Sequence, residues 1–121
     1  MPHQRQLIGQ IGETAAVDYL TQAGYSIVAR NWHAGRYGEI DIIARYGDQL
    51  VLVEVKTRSS IYFGFPEEAV NKRKQFKLQG AAQAFILSHP HLPQEVRFDV
   101  IAIVLSPDHK IADFKHFKGI N

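Results

Sequence analysis

No cysteine occurs anywhere in the 121 residues. Disulfides and thiolate metal centres are therefore excluded, and a reducing compartment is the natural expectation. Long apolar runs are missing as well: none approaches the ~20 residues that a membrane-spanning helix needs. The amino terminus, Met1-Pro2-His3-Gln4-Arg5-Gln6, has no apolar core of the kind a signal peptide carries. These absences point to a cytoplasmic protein with no membrane partner. Nor is there an excess of one charge: the formal net charge of +2 permits nucleic-acid binding without requiring it. No internal repeat, low-complexity tract or linker divides the chain, so residues 1–121 are expected to form one domain. His89 and His91 are separated by Pro90, and no acid or cysteine nearby completes a transition-metal set.

What is present is a pair of apolar strands carrying acids. The first reads Gly38-Glu39-Ile40-Asp41-Ile42-Ile43-Ala44 and the second Leu50-Val51-Leu52-Val53-Glu54-Val55-Lys56-Thr57. Both are rich in β-branched residues, and Tyr46-Gly47-Asp48-Gln49 between them has hairpin chemistry. If those residues form the loop, position 45 pairs with 50, 43 with 52, 41 with 54 and 39 with 56. Asp41 then faces Glu54, beside a Glu39–Lys56 pair. Like charges set opposite each other are destabilising, by ~4 kcal/mol at about 4 Å and an effective dielectric near 20. A divalent cation turns that repulsion into attraction, and magnesium binds through one or two carboxylates while keeping several waters. Lys56 follows Glu54 by two residues and so shares its face. The pattern suggests metal-dependent attack on a phosphodiester, with Asp41 and Glu54 sharing one cation. The plain alternative is a cross-strand ion pair on a solvated face. Apolar residues on both faces of these strands argue for a covered position, where charge needs a partner.

Periodicity predicts the remaining elements. A helix runs from about Gln6 to Ala23 and closes at Gly24. Gly9 and Gly12 cost helix propensity and are expected to allow close packing. Tyr25–Trp32 reads as a strand, Glu67–Ser88 as mostly helix, Val96–Leu105 as an apolar strand interrupted by Asp99, and Ile111–Phe117 as a weaker strand. The order α-β-β-β-α-β-β implies an α/β domain with a mixed sheet flanked by helices, and the crossover helix fits a parallel βαβ unit. Trp32 reads as a packing anchor, and Asp99 as the partner of Arg97 or of a neighbouring strand. The Ser59–Pro66 loop carries Tyr62, Phe63 and Phe65, which either stack on bases or pack on the core.

These segments resemble the YraN family of small bacterial proteins, described as endonucleases of the restriction-endonuclease-like superfamily. The resemblance runs through Gly9-x-x-Gly12-Glu13-x-x-Ala16, Gly24-Tyr25, Arg30-Asn31-Trp32, Gly38-Glu39-Ile40-Asp41, Val53-Glu54-Val55-Lys56-Thr57-Arg58, Val70-x-x-x-Lys74 and Arg97-Phe98-Asp99-Val100. It implies a restriction-endonuclease-like fold. Asp41 is similar to the superfamily's signature aspartate, Glu54 and Lys56 to its acidic-x-lysine element, and Glu13 to the extra acid supplied by the first helix. Ile40 stands where a proline often precedes the aspartate. The implied activity is magnesium-dependent cleavage of DNA, with manganese as a substitute and branched DNA as a candidate substrate. Asp41, Glu54 and the Val55 carbonyl would ligate the metal. Glu13 would bind a second ion or orient a water, and one metal or two both fit. Lys56 would position the attacking water.

Basic residues supply the expected DNA contacts: Arg36 and Arg58 flank the acidic strands, and Lys72, Lys74 and Lys77 cluster on the second helix. A solvated helix face explains the lysines equally well. Two strands of a branched substrate need two active sites, which would favour a homodimer. The competing readings are a DNA-binding or repair-associated module without cleavage, and a protein-interaction domain with a structural metal site.

Overall fold

Among the described residues, two helices enclose a five-stranded mixed sheet in the expected order α-β-β-β-α-β-β. A computed structural model describes residues 4–59 and 72–120, with the side chains of Gln4, Lys72 and Arg73 outside the description. Helix α1 spans Gln4–Gln22, β1 Ser26–His33, β2 Glu39–Tyr46, β3 Gln49–Arg58, α2 Lys72–Ser88, β4 Glu95–Leu105 and β5 Ile111–Phe117. A 3-10 turn at Gly35–Tyr37 joins β1 to β2. Tyr62, Phe63, Phe65 and the expected helix start at Glu67 lie outside the described residues. Among the described residues no helix is long and apolar enough to cross a membrane.

The sheet order is β1-β2-β3-β4-β5. Strands β1 to β3 form an antiparallel meander, β3 and β4 run parallel across the α2 connection, and β5 returns antiparallel. Side chains of β3 alternate between two cores, as strand geometry requires. Val51 and Val53 pack under α1 with Ala16, Leu20, Ile101 and Ile103. Leu50 and Leu52 pack under α2 with Leu78, Ala81, Phe85 and Ile43. Trp32 meets Phe85 edge to face at 5.1 Å, as a packing anchor should. Gly24 ends α1 with φ +96°, a conformation glycine adopts without steric cost, and the Tyr25 amide then donates to the Leu20 carbonyl at 2.9 Å.

The hairpin loop is shorter than expected. Tyr46 pairs with Gln49, so the loop is Gly47-Asp48 alone, with Gly47 at φ +60°. The register is unaffected: Arg45 pairs with Leu50 and Ile43 with Leu52.

Asp99 is fully buried on the α1 side and pairs with Arg97, whose Nε and Nη2 donate to its two oxygens at 2.9 and 2.8 Å. His116 Nε2 lies 2.7 Å from the same carboxylate, the Gly119 amide donates at 3.0 Å, and the His116 Nδ1 meets the Tyr19 hydroxyl at 2.8 Å. Burial alone would raise the Asp99 pKa; the hydrogen bonds from His116, Arg97 and Gly119 outweigh it and leave the group below the usual carboxylate range. With every lone pair engaged by β4, β5 or the following backbone, Asp99 clasps the sheet edge to α1.

Gly12 is where α1 approaches β3. A Cβ there would lie 1.9 Å from the Thr57 hydroxyl oxygen. Gly12→Ala should therefore destabilise the fold by about 1–3 kcal/mol through overpacking. Adding Thr57→Ala should recover part of that loss in a thermal or urea melt. Equal stability of Gly12→Ala and wild type would contradict this packing.

Candidate functional site

The ladder between β2 and β3 stops at the Ile42–Val53 pair, one position short of Asp41 and Glu54. There Asp41 Oδ2 accepts a hydrogen bond from the Val55 amide at 2.8 Å. A side chain has taken the donor that a continuing ladder would give to a backbone carbonyl. The strands part, and the Asp41 carboxylate sits in the fork.

The same place breaks the alternation of β2. Ile42 packs under α1 while both Ile40 and Ile43 pack under α2. Strict period two would have put Ile40 with Ile42. Neighbouring β1 is distorted at the matching position: Arg30 pairs with Ile42 and Trp32 with Ile40, leaving Asn31 level with Asp41 at φ +50°. Asparagine is among the few residue types that tolerate this left-handed conformation. Its consequence is direct. Consecutive side chains of a regular strand point to opposite faces, yet Arg30 Nη2 and Asn31 Nδ2 both reach Glu13 Oε1, at 3.1 and 2.9 Å. Glu13 is thereby held on α1 with its side chain only 15% exposed.

Glu54 is buried and turns toward α2. Lys74 Nζ lies 2.7 Å from its Oε1 and Lys56 Nζ 3.3 Å. The expectation that Asp41 and Glu54 project side by side from one regular face is corrected here. Asp41 borders a hollow of about 660 Å3 under α1, shared with Glu13, Arg30 and Asn31. Glu54 borders a smaller hollow of about 180 Å3 under α2, with Tyr37, Lys74 and Lys77. The two charges still act on each other through the fork. Burial raises the Asp41 pKa most, the Glu54 charge raises it further and Glu13 adds to this; the Val55 amide and Lys56 oppose, and the result is about 6.

Other expectations divide similarly. Glu39 does not pair with Lys56; its Oε2 lies 3.9 Å from His33 Nε2, its cross-strand neighbour on β1. Lys74, expected to contact phosphate, is an ion-pair partner of Glu54. Burial would lower its pKa, and the hydrogen bond and charge of Glu54 outweigh that to raise it. Arg58 and Lys56 line a third hollow of about 680 Å3 with Arg5 and Gly9. Gly9 has nothing within 4 Å of a Cβ position, so it leaves this side open where Gly12 closes it. Arg36 and Lys77 are exposed beside the α2 hollows. The Lys72 side chain lies outside the described residues. Sequence reasoning missed Asn31 and the Arg30–Glu13 contact; the Arg-Asn-Trp segment and the left-handed tolerance of asparagine were the available signals.

Among the described residues no three histidines or acids are gathered as a closed metal cluster. The fork nevertheless offers two mutually repelling carboxylates, a hard-oxygen set that suits magnesium, which needs no more than one or two from the protein.

The family model described as Uncharacterised protein family UPF0102 matches residues 12–103, a span that contains Glu13, Asp41, Glu54, Lys56 and Lys74. The chain belongs to this family. It is the YraN family of the sequence resemblance. A UPF0102 protein of Moorella thermoacetica is 40% identical over 119 residues, covering 98% of each chain. One from Caldanaerobacter subterraneus subsp. tengcongensis is 43% identical over 104 residues, 86% of this chain and 84% of its own. One from Syntrophomonas wolfei is 46% identical over 98 residues, 81% of this chain and 84% of its own.

The raised Asp41 pKa has a sign that can be tested. Its folded value of about 6 exceeds the ordinary 3.8, so the native state holds the proton more tightly than the unfolded chain. That contribution is complete below about pH 4 and is lost as pH rises through about 6, a swing on the order of 3 kcal/mol. Asp41→Asn keeps an acceptor for the Val55 amide and removes the charge. In chelator at pH 7.5 it should melt several degrees above wild type, with the gap closing toward pH 4. A variant less stable than wild type at pH 7.5 would mean that Asp41 is needed as a structural anion.

Proposed function

We propose that this protein is a divalent-metal-dependent endonuclease that hydrolyses DNA phosphodiester bonds, with branched or otherwise structured DNA as its substrate class. The observation that carries this reading is the fork of β2 and β3, where Asp41 and Glu54 oppose each other electrostatically beside two ammonium groups and open hollows. Family membership supports it, since the chain's resemblance to the restriction-endonuclease-like group is carried by the same residues.

Asp41, Glu54 and the Val55 carbonyl would hold magnesium or manganese at the fork. When bound, such an ion supplies a Lewis acid for a phosphoryl oxygen and water of lowered pKa near neutrality. The chain's own residues do the rest. Glu13, fixed by Arg30 and Asn31, would accept hydrogen bonds from a water in the α1 hollow. Lys56 would leave Glu54 to meet a phosphate and stabilise the charge that develops on it. Lys74 would remain on Glu54 and keep that carboxylate oriented. Arg36, Arg58 and Lys77 would contact backbone phosphates on either side.

One observation favours a non-cleaving DNA-binding module instead: Glu13, Asp41 and Glu54 each already have protein partners. Incubation with duplex, single-stranded, flap and four-way DNA in magnesium or manganese separates the two. Cleavage of at least one form is expected, reduced about 100-fold or more by Lys56→Ala or Glu54→Gln, in line with removing one electrostatic contributor. Binding of these DNAs in calcium without any cleavage in magnesium or manganese would establish the module.

A further inference from the structure

The α2 side of the fork opens onto an aromatic surface that the proposed chemistry does not use. Phe76 is 69% exposed on the first turns of α2, beside Lys77. With Tyr37 and Arg36 of the 3-10 turn, they line a hollow of about 420 Å3 whose walls, among the described residues, contain two cations and no acid. Tyr37 and Lys77 also line the hollow that contains Glu54, so the two spaces adjoin.

This surface is built rather than incidental. A Cβ on Gly80 would lie 2.3 Å from the Tyr37 ring, so the absence of a side chain at that helical position is what lets the ring lie against α2. The Arg36 guanidinium sits 5.0 Å from the ring centroid and donates to the Tyr37 hydroxyl at 2.9 Å. A fixed aromatic, a solvated aromatic and two cations form a combination suited to a flat apolar ring attached to an anion. A protein partner would more simply cover an apolar surface without the cations.

We propose that Arg36, Tyr37, Phe76 and Lys77 form a subsite for one unpaired nucleotide, its base laid on Phe76 alongside the edge of the Tyr37 ring and its phosphate between Arg36 and Lys77. The inference rests on the nuclease reading and deepens it. In a duplex the faces of each base are covered by its neighbours, so only an unstacked base can use an aromatic platform. A phosphate held at Lys77 places the next part of the strand beside Lys74 and Glu54. The subsite thus selects DNA with a strand end, flap or junction next to the bond presented to the fork.

The test measures binding of a labelled single-stranded oligonucleotide by fluorescence anisotropy in chelator, against an otherwise identical oligonucleotide of abasic residues. Both carry the same phosphates, so their affinity ratio isolates the bases. Wild type should prefer the base-bearing strand by roughly five- to hundredfold, the range that stacking of a single base supports. Phe76→Ala, at an exposed position, should collapse that ratio toward one. Leu87→Ala, equally exposed at the far end of α2, should retain it. A wild-type ratio of one, or a ratio unchanged by Phe76→Ala, would overturn the subsite and leave the nuclease reading standing. Failure of wild type to bind either strand or any duplex would overturn both.

Discussion

A hydrogen bond from the Val55 amide to the Asp41 carboxylate organises the rest of the site. In an uninterrupted hairpin that amide would belong to the backbone ladder. By taking it, Asp41 ends the pairing of β2 and β3 after Ile42–Val53 and opens a fork in the middle of a covered sheet. Glu13, Asp41, Glu54, Lys56 and Lys74 lie around that fork. The cost is an acid held where burial and two other carboxylates all disfavour its charge. The Val55 amide and Lys56 offset part of that cost, and in the proposed function a bound cation would offset the rest.

The surrounding fold gives the fork its two unlike sides. Under α1, Gly12 lets the helix close on Thr57 while Gly9 leaves a hollow, and Glu13 stands between them in the grip of Arg30 and Asn31. Under α2, Lys74 comes down onto Glu54 and joins Lys56, giving a cationic counterpart to the acids. The Asp99 clasp, farther along the same face as α1, holds β4 and β5 together with the helix. It has no unsatisfied oxygen to offer a ligand, which is why the buried acid there is structural.

Much of this was legible in the residues. Period-two and helical patterns gave the order of elements, the parallel crossover and the pairing of Arg45 with Leu50, because those depend on local patterning and burial. Gly12, Trp32 and the Arg97–Asp99 pair were readable for the same reason. The fork was not. Continuing strict alternation through Asp41 put Glu39 opposite Lys56, whereas a left-handed Asn31 and a side chain competing for the Val55 amide break the pattern at that point. Nor was the attachment of Lys74 to Glu54, which joins residues 20 positions apart through the α2 packing and which no short-range pattern encodes.

Direct titration of the Asp41 carboxyl carbon by NMR tests the central claim that the fork couples two acids around a cation. A metal-free midpoint near 6 is expected, displaced downward when Glu54→Gln removes the neighbouring charge, and displaced downward in wild type when magnesium is added. A midpoint at the ordinary aspartate value, indifferent to both Glu54 and magnesium, would contradict it.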